Sequence, residues 1–169
     1  MDLQNIIFAG DSAGGHLAIT VAMLAALRGF RTPDAIMCHY PVFSINPHRF
    51  FPSMLISVDE ELLSSSFMQF ALTCFTRNGG NVETNPILSP AHAPDALLKL
   101  LPPVKLMPCE IDPLRDHSFF FANRLLKLGK KCEVYLMKDH IHGWNNIDTN
   151  YVGVTEFSRS TTLTESILR

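Results

Sequence analysis

The chain alternates apolar runs of strand length with longer stretches of helical pattern. Asn5-Ile-Ile-Phe-Ala-Gly10 opens apolar, breaks at Gly10-Asp-Ser-Ala-Gly14 and passes into Leu17-Ala-Ile-Thr-Val-Ala-Met-Leu-Ala-Ala-Leu27. The last of these is apolar nearly all round, which predicts a helix buried against a sheet. Arg28-Gly29 stops it, Thr32-Pro33-Asp34 turns the chain, and Ala35-Ile-Met-Cys-His39 is a second apolar strand, ended by Tyr40-Pro41. Strand, helix and strand in that order predict a right-handed parallel crossover.

From Pro41 to about Pro90 the rhythm changes to Pro, Ser and Asn interleaved with Phe and Met. Ser57-Val-Asp-Glu60 reads as a capping box, and Phe67, Met68, Phe70, Ala71, Leu72 and Phe75 predict a short helix with a broad apolar face. This block, about 41–90, reads as an inserted or lid-like segment. Pro90 to Leu101 carries a helical turn or two before Pro102-Pro103, and Val104 to Cys109 is a short strand with Pro108 at its end. Asp116 to Leu128 predicts an amphipathic helix with Phe119, Phe120, Leu125 and Leu126 among its buried positions, stopped at Gly129. Lys131 to Met137 alternates as a strand, Lys138 to Trp144 is a loop, and Val152 to Leu168 a last helical segment. The order β-α-β-insert-β-α-β-α is that of an α/β parallel sheet flanked by helices, in one unit over 1–169.

The length of 169 residues lets one domain bury about 70% of its unfolded surface. A net charge of −2 with scattered Lys and Arg argues against nucleic acid and anionic membrane partners. Cys38, Cys74, Cys109 and Cys132 lie far apart, without Cys-x-x-Cys or zinc-finger spacing, and read as reduced thiols with no metal to hold. No basic leader opens the chain, and its longest near-apolar run is too short to span a bilayer, so a cytoplasmic protein without a transmembrane segment is expected.

Gly10-Asp-Ser-Ala-Gly14 between a strand and a helix is the pattern of a nucleophile elbow, in which the serine hydroxyl projects from the sheet edge. A hydroxyl that attacks carbonyls needs a histidine to take its proton and a carboxylate to orient that histidine. In a parallel sheet both should lie just after strands, at their carboxyl ends. Asp112 follows the strand ending near Cys109, and His142 follows the next strand. Ser12, Asp112 and His142 are therefore the candidate catalytic residues, and the Ala13 backbone N–H, at the start of the helix, is the candidate oxyanion donor. Asp116 is a competitor for the acid, but its place in the first helical turn suits capping. Asp139 reads as a solvated loop charge and Asp11 as a paired or hydrogen-bonded neighbour, and His142 is preferred to His140 because the following Gly143 lets the chain turn sharply enough for His142 to point at the serine. His16, His39, His48, His92 and His117 have no partner pattern for metal and read as packing or surface residues.

Gly10-Asp-Ser-Ala-Gly-Gly15, Asp112-Pro-Leu-Arg-Asp116 and His142-Gly143 resemble, in order, the three catalytic blocks of the hormone-sensitive lipase family of α/β-hydrolases. Ile36-Met to Tyr40-Pro41 and Leu88-Ser-Pro to Leu101-Pro-Pro103 extend the likeness across roughly residues 5–147. The resemblance implies a serine carboxylic ester hydrolase that needs no cofactor, forms an acyl-enzyme and acts on neutral lipid esters such as acylglycerols or cholesteryl esters, with contact to a lipid-droplet surface. The family's His-Gly-Gly oxyanion loop and the strands before the elbow are not in this sequence. Weak activity, and pairing of another chain with the Asn5–Ala9 edge, are the expectations that follow. The alternatives are a truncated, weakly active or inactive homologue that binds lipid or a partner, and a serine peptidase on the same fold.

Overall fold

The computed structural model describes residues 5–45, 51–57, 62–77, 81–82 and 84–147. Expectations for the rest of the Ser57–Glu60 capping box, for His48 and for the 152–168 helix lie outside these residues. Four parallel strands form the main sheet: β1 (Ile7–Asp11), β2 (Ala35–His39), β3 (Val104–Met107) and β5 (Cys132–Val134), in the order β1-β2-β3-β5. A two-stranded parallel extension pairs β4 (Cys109–Ile111) with β6 (Met137–Ile141). Helices α1 (Ala13–Leu27), α2 (Pro52–Ile56), α3 (Ser65–Phe75), α4 (Asp95–Leu98), α5 (Arg115–Lys127) and α6 (Trp144–Ile147) connect them.

The sequence predicts one strand over 104–109 and one over 131–137, and each is divided. By the register Val104↔Cys132, Leu106↔Val134, position 108 is the next to donate across this pair, toward Tyr135. Pro108 has no N–H to give, so the ladder breaks there. It resumes where Met137 N–H donates to the Pro108 carbonyl at 2.8 Å. The second strand consequently runs on to Ile141, through most of the predicted 138–144 loop.

The main core lies on one face of the sheet. Ile19, Ala22 and Met23 of α1 and Phe121, Ala122 and Leu125 of α5 pack with Ile36, Cys38, Val104 and Leu106 of the central strands. The spacing Phe121, Ala122, Leu125 sets the buried stripe of α5, and Phe119 and Leu126, expected inside, are exposed. Of the other expected positions Leu125 is buried and Phe120 packs partly buried against the core, while the stripe also takes in His117 and Ser118. Helix α1 also differs from the expectation of burial all round: Leu17, Val21 and Leu27 face outward. Strand β1 stands at the end of the sheet and pairs on one side only among the described residues, so its apolar Ile7 and Phe8 are half-buried where β2 and β3 are almost wholly buried. Helix α3 takes its cap from Ser64, whose hydroxyl accepts the Phe67 N–H, and none of its residues is buried.

The β1–α1 corner is as tight as the backbone permits. A Cβ on Gly10 would lie 2.4 Å from the Gly14 carbonyl carbon and oxygen, whereas a Cβ on Gly14 would meet nothing closer than an Asp11 carboxylate oxygen at 3.7 Å. Gly10→Ala is expected to cost about 3 kcal/mol, the upper end of overpacking penalties. Gly14→Ala, within a helix and free of contact, is expected to be neutral or to stabilise by up to about 1 kcal/mol. Urea midpoints of the two variants test this, and equal midpoints would remove close packing as the reason for Gly10.

Candidate active site

Ser12 occupies the corner between β1 and α1 with φ 52° and ψ −118°, a backbone conformation that L residues rarely adopt. Its N–H donates to the His39 carbonyl at 2.9 Å, and its carbonyl accepts from His16 N–H at 3.3 Å and Val42 N–H at 3.4 Å. Serine at a helix N-cap ordinarily turns its hydroxyl back onto the helix's own N–H groups. Here it makes no such bond. The hydroxyl lies instead 2.9 Å from His142 Nε2.

Asp112 is fully buried at the turn between β4 and α5. One carboxylate oxygen accepts the Leu114 N–H at 2.7 Å, and the other lies 2.9 Å from His142 Nδ1. With the carboxylate accepting a hydrogen bond from Nδ1–H, His142 presents the lone pair of Nε2 to the Ser12 hydroxyl. The imidazole is held from a third side by Tyr40, whose ring meets it edge to face at 4.7 Å. The Tyr40 hydroxyl in turn bonds Asn145 of α6 and lies 3.4 Å from Asp11, so one side chain links the serine corner to the segment after His142.

Of the competing residues, Asp116 turns away. It accepts the Ser53 N–H at 2.9 Å and pairs with Arg115, which pins α2 to α5 where the sequence had suggested a helix cap. Asp139 is exposed at positive φ, and its N–H donates to Glu110. His140 hydrogen-bonds the Lys138 carbonyl and packs edge to face on Trp144. The Ala13 N–H stands at the first turn of α1, directly after Ser12.

A cavity of about 450 Å³ opens beside Ser12. Leu17 of α1, Val42, Ile45, Met54, Leu63, Leu114, and Phe67, Met68, Ala71, Leu72 and Phe75 of α3 make its wall almost wholly apolar. Phe43 is not part of it but is buried in the core against Phe121, ring centroids 4.4 Å apart. Four polar side chains reach the cavity: Ser12, Ser44, His16 and His117. The two histidines had read as packing or surface residues. His16, four positions after Ser12, lies on the same helix face, a spacing that could have found it. His117 gives no comparable signal, because its place depends on the register of α5. Among the described residues no cluster of His, Cys, Asp and Glu could hold a metal ion, and no helix is long and apolar enough to cross a membrane.

The fold and site define a class before any particular relative is considered: a family model described as the α/β hydrolase fold matches residues 1–146. Hormone-sensitive lipase of Mus musculus is 47% identical over 60 residues, 36% of this chain and 8% of that protein. An esterase of Gibberella moniliformis is 29% identical over 143 residues, 84% of this chain and 44% of that one. Among solved structures, brefeldin A esterase, described as a bacterial homologue of human hormone sensitive lipase, superposes with a TM-score of 0.85 at 26% identity, covering 96% of this chain and 47% of its own. The chain belongs to the hormone-sensitive lipase family of α/β-hydrolases. It spans less than half the length of each of these relatives.

Burial disfavours the charged form of three histidines. Desolvation lowers the pKa of His16, against the opposing pull of the Val42 and Ile87 carbonyls, and that of His39, against Asp11. His117, wholly buried, is pushed down to about 3. Below pH 6.5 the unfolded chain binds protons that these folded sites refuse, so stability is full above that pH and is lost as pH falls toward 3. Urea midpoints measured across this range should drop, and His117→Asn should flatten the slope by about 1.4 kcal/mol per pH unit. An unchanged slope would mean that His117 titrates normally in the folded chain.

Proposed function

We propose that this chain carries the reacting centre of a serine carboxylic ester hydrolase. The observation behind the proposal is the unbroken run of hydrogen bonds from Asp112 through His142 to Ser12, opening on an apolar cavity. In this reading Ser12 Oγ attacks the ester carbonyl while His142 Nε2 takes its proton and Asp112 keeps the imidazole in the required tautomer. The Ala13 N–H donates to the oxyanion at a helix N-terminus whose dipole favours negative charge. Collapse of the tetrahedral intermediate expels the alcohol, which leaves with the proton from His142, and an acyl ester remains on Ser12. Water, deprotonated by His142, attacks that ester, and the acid departs as Ser12 regains its proton.

The substrate class in this proposal is an uncharged ester with an apolar acyl chain, such as an acylglycerol or cholesteryl ester. The apolar wall supports it, as does the likeness to hormone-sensitive lipase over 60 residues. Helix α3, within the 41–90 segment, acts as the lid, because it contributes five cavity residues while burying none of its own. Exposed Leu55, Ile56 and Phe70 on α2 and α3 suit contact with a neutral lipid surface such as that of a droplet.

Turnover of an activated short-chain ester by the purified chain is the direct test. Ser12→Ala and His142→Gln are each expected to lower kcat by about 10⁶-fold, and Asp112→Asn by about 10⁴-fold. Turnover that survives Ser12→Ala would sink the assignment. Across esters of one alcohol, kcat/KM should rise with acyl length until the cavity is filled. A flat profile would dissociate the cavity from the acyl chain.

A further inference from the structure

One cavity residue has no part in the reaction above. His117 is 3% exposed, sits in the first turns of α5 and lines the cavity with Leu114. Its Nδ1 accepts the Phe43 N–H at 3.3 Å. An imidazole nitrogen that accepts carries no proton, so in the neutral ring the proton is on Nε2. Burial, which outweighs the attraction of Asp116 and is reinforced by His92, keeps the ring neutral at ordinary pH. The Phe51 ring packs tilted against the imidazole, centroids 4.6 Å apart. The Nε2–H has no protein hydrogen-bond partner among the described residues and is not sealed off as a buried orphan, in keeping with the ring's place in the cavity wall. Once a ligand fills the cavity and displaces water, a donor left without an acceptor is costly, and an almost wholly apolar wall offers few.

We infer that His117 is a specificity-determining residue whose Nε2–H donates to an oxygen in the buried part of the ligand. The ligand class is therefore narrower than an unadorned hydrocarbon chain: it carries a carbonyl, ether or hydroxyl oxygen within the apolar cavity, apart from the ester attacked by Ser12. Ser44, whose hydroxyl is 3.0 Å from His92 Nε2, supplies a second polar group on the same wall. A site built to hydrogen-bond such an oxygen discriminates against the analogue without it far more strongly than an apolar pocket discriminates by size. The inference rests on the ester-hydrolase reading only for the name of the ligand class.

Binding without turnover separates the two. In a Ser12→Ala background, displacement of a fluorescent apolar probe would be measured for isomeric medium-chain ketones, the carbonyl moved stepwise along the chain, and for the alkane of equal carbon count. One isomer should bind roughly 10-fold to 100-fold more tightly than the alkane. Two substitutions divide the ring's two bonds. Asn places its amide near the position of Nδ1, keeping an acceptor for Phe43 but removing the cavity donor. Gln reaches the position of Nε2 and keeps that donor. His117→Asn should abolish the ketone preference while leaving alkane affinity within about twofold, and His117→Gln should retain it. Absence of any preferred isomer, or a preference that survives His117→Asn, would overturn the inference. The ring's nitrogen shifts give a second reading: an Nε2–H tautomer is expected, and an Nδ1–H tautomer would end it. Neither measurement depends on ester turnover, so a failed hydrolysis assay and a failed ketone preference are distinct results.

Discussion

The contact between Gly10 and the Gly14 carbonyl is the constraint on which the site depends. It brings the first turn of α1 so close to the end of β1 that the connecting residue has no relaxed conformation available, and Ser12 is held at positive φ. The cost of that conformation, of order 1–3 kcal/mol, is offset by the sheet register and by three backbone hydrogen bonds, to His39, His16 and Val42. The same closeness seats Gly15 against Pro41 and Cys38, where a Cβ would lie 2.8 Å and 3.2 Å from their Cβ atoms. Helix α1 is thereby fixed over β2 as well as β1. A hydroxyl that would otherwise cap its own helix is left to face His142.

The two ends of the parallel strands complete the geometry from the other side. Parallel pairing places the carboxyl ends of β1, β2 and β3 side by side, and the chain leaving β4 and β6 returns to the same edge. Asp112 meets His142 across 30 residues of sequence and Ser12 meets it across 130. Tyr40, at positive φ beyond β2, occupies the space between the two approaches and contacts both.

Sequence pattern carried most of this architecture, because apolar runs of strand length and a glycine-flanked serine leave few alternatives. The order of Ser12, Asp112 and His142, each at a strand's end, was legible for the same reason. Other features depend on information that local patterns do not hold. Helix α5 has three consecutive phenylalanines, so periodicity alone could not say that Phe121 and not Phe119 would face the core. The strand break at Pro108 depends on which neighbour its missing N–H would have faced, a question of register. His117 became a cavity residue through that same unread helical phase, combined with the packing of Phe51 and Phe43 around it.

That break divides the site. Asp112 and His142 both follow the short β4–β6 ribbon, whereas Ser12 is rooted in the four-stranded sheet. Between the two the ladder lacks a rung at Pro108, so among the described residues no continuous hydrogen-bond ladder joins the ribbon to the main sheet. The carboxylate and the imidazole sit on the same side of that break and are 2.9 Å apart. The 2.9 Å contact between His142 Nε2 and the Ser12 hydroxyl is therefore the one link of the three-residue chain that spans the break.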